Sequence, residues 1–336
     1  RLLTPVGDYT PFRELAQRLG EWPLLLELAN GTLRQLVARG DTLTGALTYL
    51  EEKLDDQGVV AFGQRQPLQR NQAITKTIAG SLDLLTPEER QRCLELAIFP
   101  EDKDIPISVV GDLWGLKSLR TKELALRLDN LSLLKFNLQI GTIRLHDVMR
   151  AYLVAKLANP HLLHAKLVEA WGNPHQLAEA YAWRWLPYHL LGAKRMEALR
   201  HLLLDFDWLR NKLDRTDVTS LVADYGFYSD VDVRLLRESL LLSAHVLLED
   251  KNQLPGQLLG RLSAEISPGI QKLREKLEAW QAVPWLRPLL PILIAPGGAL
   301  CFTLYGHTGK VRAVAITSDG QRALSASDDC TLKVWK

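Results

Sequence analysis

Through most of the chain up to residue 281, apolar residues recur at three- and four-residue spacing. The stretch "VPWLRPLLPILIAPGG", with four prolines and two glycines, then interrupts the pattern, and beyond it the apolar residues alternate. A period near 3.6 lines one face of a helix, whereas a period of two lines one face of a strand. Proline has no amide proton to give a helix interior, so the interrupting stretch is predicted to be an extended connection. The chain is therefore expected to be mainly α and to close in a small β unit.

Smaller signals divide the helical part. Thr10-Pro11 has the form of an N-cap followed by proline in the first turn, and Phe12, Leu15, Ala16 and Leu19 keep helical spacing until Gly20. Trp22 precedes Pro23, whose ring pushes it away from helical angles, so "EWP" is read as a turn before the helix of "LLLELANGTLRQLVARG". "QGVVAFGQRQP" marks a joint, and residues 1–66 are read as a small helical domain. In "TPEE", Thr86 and Glu89 have capping-box spacing, and two further helices follow in "ISVVGDLWG" and "TKELALRLDNLSLLKF". "FNLQI", a Gly141-Thr142 turn and "IRLH" alternate as a hairpin would. Three helices closed by a hairpin predict a winged helix over 67–160. Residues 161–281 read as a helical arm broken at "YGFYSD" and "LPGQ", with Trp171, Trp183, Trp185, Trp208 and Trp280 expected in cores. A Pro-rich linker over 282–299 leads to the β unit over 300–336.

Composition narrows the function classes. With 47% apolar and 24% charged residues, the chain has the balance of a folded protein with large cores. A net charge of +2 from dispersed basic residues gives no broad footprint for nucleic acid or a membrane surface. Cys93, Cys301 and Cys330 fit neither a disulfide framework nor a zinc pattern, which favours a reducing compartment. No apolar run approaches the roughly 18 residues of a membrane span, and "RLLTPVGDYT" has neither an initiator Met nor a signal-peptide core. A cytoplasmic segment cut from a longer chain is the expectation.

The last 31 residues carry the most specific local pattern. Gly306-His307 opens "GHTGKVRAVAITSDGQRALSASDDCTLKVWK", Asp329 falls in the turn before the last alternating run, and Trp335 closes it. This resembles one WD repeat. The resemblance implies a structural hydrogen-bond network of His307, Ser325 or Ser327, Asp329 and Trp335, with Lys336 in place of the usual second Asp. One blade cannot bury both its faces, so further repeats are expected after Lys336.

Three more motifs occur in order. "RCLELAIFPEDKDIPISVVGDLWG" resembles the segment after the ATPase core of NB-ARC (STAND-class) signalling ATPases, which include plant immune receptors and the apoptotic-protease-activating factor. "LGEWPLLLEL" resembles their Gly-x-Pro motif, although Glu21 stands where glycine is usual before Trp22-Pro23. "LHD", Leu145 to Asp147, resembles their Met-His-Asp motif, with Leu145 a near-isosteric replacement for Met. The resemblance implies that Pro23 lies against a nucleotide base and that His146 reaches an ADP phosphate in the resting state. It also implies ADP/ATP with magnesium in the parent protein. No Gly-x-x-x-x-Gly-Lys-Ser/Thr loop occurs in the sequence, so this chain is not expected to hydrolyse ATP by itself.

Read from residues alone, His146-Asp147 admits several meanings. Period two puts Ile143 and Leu145 on one face and Arg144 and His146 on the other. Asp147 before "VMRAYLVAKL" suits an N-cap, worth about 1 kcal/mol. His161 and His164 share helical spacing without an accompanying acid or cysteine set, which is a weak metal pattern, and no nucleophile context supports catalysis. The resemblance assigns His146 a sensor role and leaves Asp147 as the cap that orients it. The expected function is that of the regulatory and coupling part of an ADP-locked, ATP-activated, oligomerising switch, with the start of a WD sensor. Its expected partners are an upstream ATPase core and effector domain, a protein ligand of the propeller, and further copies of itself. The alternatives are an interaction scaffold without ATPase activity and, less favoured, a DNA-binding winged helix carrying Lys122, Arg127 and Lys135.

Overall fold

A computed structural model describes residues 9–56, 67–263, 267–281, 284–300, 304, 306–307 and 309–335. The chain separates into two compact units. The first runs to Asn173 and takes in Leu177–Ala182 and Gly192–Lys194; the second comprises Pro174–Gln176, Trp183–Leu191 and the chain from Arg195 onward.

The first unit opens with α1 (Thr10–Arg18), α2 (Pro23–Ala38), α3 (Leu43–Asp56) and α4 (Pro67–Asp83). Trp22 is extended (φ −80°, ψ 125°), as the following proline requires, and Pro23 starts α2 where no amide donor is needed. Leu24, Leu25, Leu28, Leu33 and Leu36 give α2 a buried face that packs on α3 and α4. Thr32 and Ser81 meet across α2 and α4 through their hydroxyls, 3.2 Å apart and both buried. On the same helix, Gly31 lies against the end of the later helix of residues 118–130, where a Cβ would come 2.8 Å from the Leu131 carbonyl carbon. Only glycine allows that approach, a role its helical setting in the sequence did not reveal.

Glu21 has φ 54°, in the left-handed region. This explains why glycine suits the position in the resembling motif, since a side chain there costs about 1–2 kcal/mol. Glu21→Gly is expected to leave the fold intact and to raise stability by up to about 1 kcal/mol, checked by urea denaturation; a loss of stability would count against this backbone geometry.

Next come α5 (Pro87–Glu95), β1 (Ile105–Pro106), α6 (Ile107–Trp114), α7 (Ser118–Asn130), β2 (Lys135–Asn137), β3 (Thr142–Arg144), α8 (Asp147–Lys156) and α9 (Pro160–Trp171). The Thr86–Glu89 capping box forms in both directions. The predicted three helices and hairpin are present, with shorter strands than the alternation suggested. Asn137 turns the chain early: its side-chain oxygen accepts from Gln139 N and Ile140 N, and its carbonyl from Gly141 N. The two-residue strand β1, too short to show a period, completes an antiparallel sheet in the order β1-β3-β2. Ile143 pairs with Ile105 and Phe136 at its centre and is fully buried.

The helix α10 (Ala180–Gly192) is divided between the two units, and the second continues with α11 (Met196–Leu203), α12 (Phe206–Arg215), α13 (Val218–Asp224), α14 (Val231–Glu249), α15 (Leu254–Leu259) and α16 (Pro268–Ala279). Trp183 and Trp208 are buried and stack at 5.2 Å, while Trp171, Trp185 and Trp280 are only half-buried. "YGFYSD" separates α13 from α14 as expected. "LPGQ" does not break a helix but opens α15, because Pro255 falls in its first turn, where the amide is dispensable. No helix runs through residues 284–300.

The chain then forms β4 (Val311–Ile316), β5 (Ala323–Ser327) and β6 (Leu332–Trp335), antiparallel in sequence order. These are three strands of the expected blade; residues where a fourth would lie fall largely outside the described ones. The molecule is thus mainly α with a single WD-type blade. Among the described residues, no helix is long and apolar enough to cross a membrane.

Candidate functional site

The β3-to-α8 junction places His146 at the N-cap position and Asp147 at the first helical residue, one step from the expected capping. The amide of Val148 is 2.6 Å from Asp147 Oδ1 and 3.3 Å from His146 Nδ1, and Nδ1 also contacts Asp147 Oδ1. These contacts compete, since Nδ1 cannot accept from Val148 while donating to Asp147. The shorter bond assigns the Val148 amide to Asp147 and leaves Nδ1 to donate to the carboxylate. Asp147 therefore satisfies a helix-end amide and orients the imidazole, although it is not itself the cap residue. Both side chains are about half exposed.

Leu145 is buried on the opposite face of the strand, as alternation predicted. Together with His146 and Met149 it lines a cleft of about 390 Å³, and Leu24 and Glu27 of α2 lie on the same cleft. Pro23 is exposed one residue before Leu24, and Trp22 is half-buried. The two motifs, more than a hundred residues apart in sequence, are thus brought to one opening. Its charges are mixed: Glu27, Asp102 and Asp129 share the lining with Lys135 and Arg144. Arg144 is held by Asp104 through a two-bond fork of 2.9 and 2.7 Å, and Asp129 accepts from Phe136 N. Such a balance does not cradle a di- or triphosphate. Among the described residues His146 Nε2 has no hydrogen-bond partner, and the ring stands at the positive end of α8.

The basic face proposed for DNA is thin. Arg127 is tied down 2.8 Å from Glu89 and by a bond to the Leu84 carbonyl, and Arg120 is 3.5 Å from Glu123.

The blade assembles a second group. His307 Nδ1 lies 2.8 Å from Asp329 Oδ2, His307 Nε2 lies 2.7 Å from Ser325 Oγ, and Trp335 Nε1 donates to Ser325 Oγ at 2.7 Å. A neutral imidazole satisfies the chain: Trp335 N–H to Ser325, Ser325 O–H to Nε2, and Nδ1–H to Asp329. Every member has its partner, and the His307 and Asp329 side chains are nearly buried, so the network is structural. Ser327 stands apart from it, accepting from Asp329 N at 3.2 Å. The sequence could not choose between the two serines, because both lie on the same strand face.

Comparison with known proteins matches a model of the WD domain, G-beta repeat, to residues 298–336, and a model of the APAF-1 helical domain to residues 161–251. The arm and blade thus have counterparts of their own, and over most of its length the chain is similar to Apaf-1-like proteins that carry WD repeats. Its similarity is to apoptotic protease-activating factor 1: the Homo sapiens protein is 25% identical over 286 residues, 79% of this chain and 23% of that protein. The Danio rerio protein is 23% identical over 287 residues, again 79% of this chain and 22% of that protein. The NACHT domain- and WD repeat-containing protein 1 of Mus musculus is 26% identical over 206 residues, covering 45% of this chain and 13% of that protein. The chain spans about a quarter of the length of the first two.

Proposed function

We propose that this chain is the regulatory and coupling segment of a cytoplasmic, nucleotide-dependent signalling switch that senses a protein ligand through WD repeats and oligomerises when active. The observation that carries this reading is the shared cleft, where the half-exposed His146 and the start of α2 meet. In the full-length protein His146 and Pro23 would hold one edge of a bound ADP, whose phosphate supplies a negative group between this segment and an upstream ATPase core. The phosphate loop and the magnesium ligands would come from that core, because the chain contains no such loop. Protonated on both ring nitrogens, His146 would donate from Nε2 to the phosphate while Asp147 holds the ring through Nδ1, and the winged-helix segment carries both. Ligand capture at the propeller shifts the balance only if the ligand binds the open form more tightly than the closed one. The arm would convey that preference.

Full-length protein with His146→Ala is expected to release ADP at least about tenfold faster, the loss of one charge-assisted contact. Release at the native rate would remove the sensor assignment. A scaffold reading is favoured by the exposed apolar residues of the blade, among them Val314, Ile316 and Leu332. It requires a parent with no phosphate loop, so the coding sequence upstream of Arg1 discriminates directly.

A further inference from the structure

The Pro-rich connection is seated on the arm. Gly256 and Gly260 are four residues apart and flank one turn of α15; the connection fills the space left at Gly260 and lies in van der Waals reach of Gly256. The Trp285 ring would lie 3.8 Å from a Cβ on Gly256, and Leu293 would lie 2.8 Å from one on Gly260. The Leu293 amide donates to the Gly260 carbonyl at 2.8 Å, and Trp285 Nε1 donates to the Trp280 carbonyl at 3.1 Å. Arg261, next in the chain, closes the arrangement. Its guanidinium is buried and donates to Ser243 Oγ, the Leu242 carbonyl, Gln257 Oε1 and, at 2.8 Å, the Ile294 carbonyl of the connection. All four acceptors are neutral, so this cation is solvated by fixed dipoles, one of which belongs to the connection.

The same segment buries little else. Leu286 is 97% exposed, Leu289 80% and Ile292 79%. The hold therefore rests on a few contacts, and departure of the connection would let water replace the Ile294 carbonyl at Arg261. Pro284, Pro288 and Pro291 would keep a released segment extended. We propose that residues 284–294 are a releasable strap: seated in the glycine groove under Arg261, it fixes the chain entering the blade to the arm, and unseated it frees the blade. This goes beyond the nucleotide-switch reading and does not depend on it.

Hydrogen exchange on the full-length protein tests the seat. The amide of residue 293 is expected to be protected in the native protein and to exchange at least about tenfold faster in Leu293→Ser and in Arg261→Met, with α14 amides unchanged. If Arg261→Met also accelerates α14, the arm itself is disturbed and Leu293→Ser alone decides. An unprotected native amide, or Leu293→Ser with native exchange, overturns the seat. The coupling is read from spin labels on Glu249→Cys and Cys330 in a Cys301→Ser background. A narrow distance distribution that broadens in Leu293→Ser supports the proposal, and equal widths overturn it.

Discussion

Replacing Lys212 with Met is expected to destabilise the arm by about 3–5 kcal/mol, because it leaves the buried Asp224 carboxyl without its partner. Lys212 and Asp224 are almost wholly buried between α12 and α13. The ammonium contacts Asp224 Oδ2, donates to the Arg184 carbonyl at 3.2 Å, and lies 5.6 Å from the centre of the Trp208 ring. Burial pushes the Asp224 carboxyl up to about 7, against the opposing pull of Lys212, and burial lowers Lys212 as well. Desolvation outweighs the partner at both ends, which is why the pair adds little net stability yet is costly to break. The double variant Lys212→Met/Asp224→Leu is therefore expected to recover to within about 1 kcal/mol of the native arm. Amide exchange in α12 and α13 measures both. A single variant that costs nothing, or a double variant no better than the single, would contradict the buried pairing.

Acid should weaken the first unit through His164. This side chain is buried in α9, and a Cβ on Gly192 would fall 2.6 Å from its ring, so the imidazole fills space that only glycine leaves. Burial, with a smaller contribution from Arg150, lowers its pKa to about 4. The folded form prefers the neutral ring, so the unfolded chain binds the proton first. Stability from this group is complete above pH 6.5 and is lost as the pH falls towards 4, by about 3 kcal/mol over the window. His164→Leu is expected to flatten that part of the pH profile, seen as a smaller shift in urea midpoint between pH 7 and 4.5 for α6 and α9 exchange. An equal acid shift in both proteins would show that other groups carry it.

Much of the architecture was legible because its causes are local. The proline after Trp22, the Thr86–Glu89 capping box and the alternation at 143–146 each depend on residues within about four positions, and each appears in the structure as read. Asp147 shows the resolution of such reading: an acid at a helix start was legible, but the cap fell on His146, one residue earlier. Strand β1 was missed because two residues have no period, and "LPGQ" was misread because proline signals a helix start as readily as a stop. Glu21 was noted as a departure from a motif, and its left-handed backbone supplies the reason.

By itself, then, the sequence determined the class of the molecule: helices to residue 281, an extended connection, and a WD-type β unit at the end, since periodicity and proline act over short range. Only the tertiary structure decided which groups meet across long separations. It chose Ser325 over Ser327, brought His146 to the cleft beside Leu24, buried Lys212 with Asp224, and seated Leu293 on Gly260. Those choices depend on close approach and exclusion of water between distant elements, and a linear pattern of residue types does not encode distance.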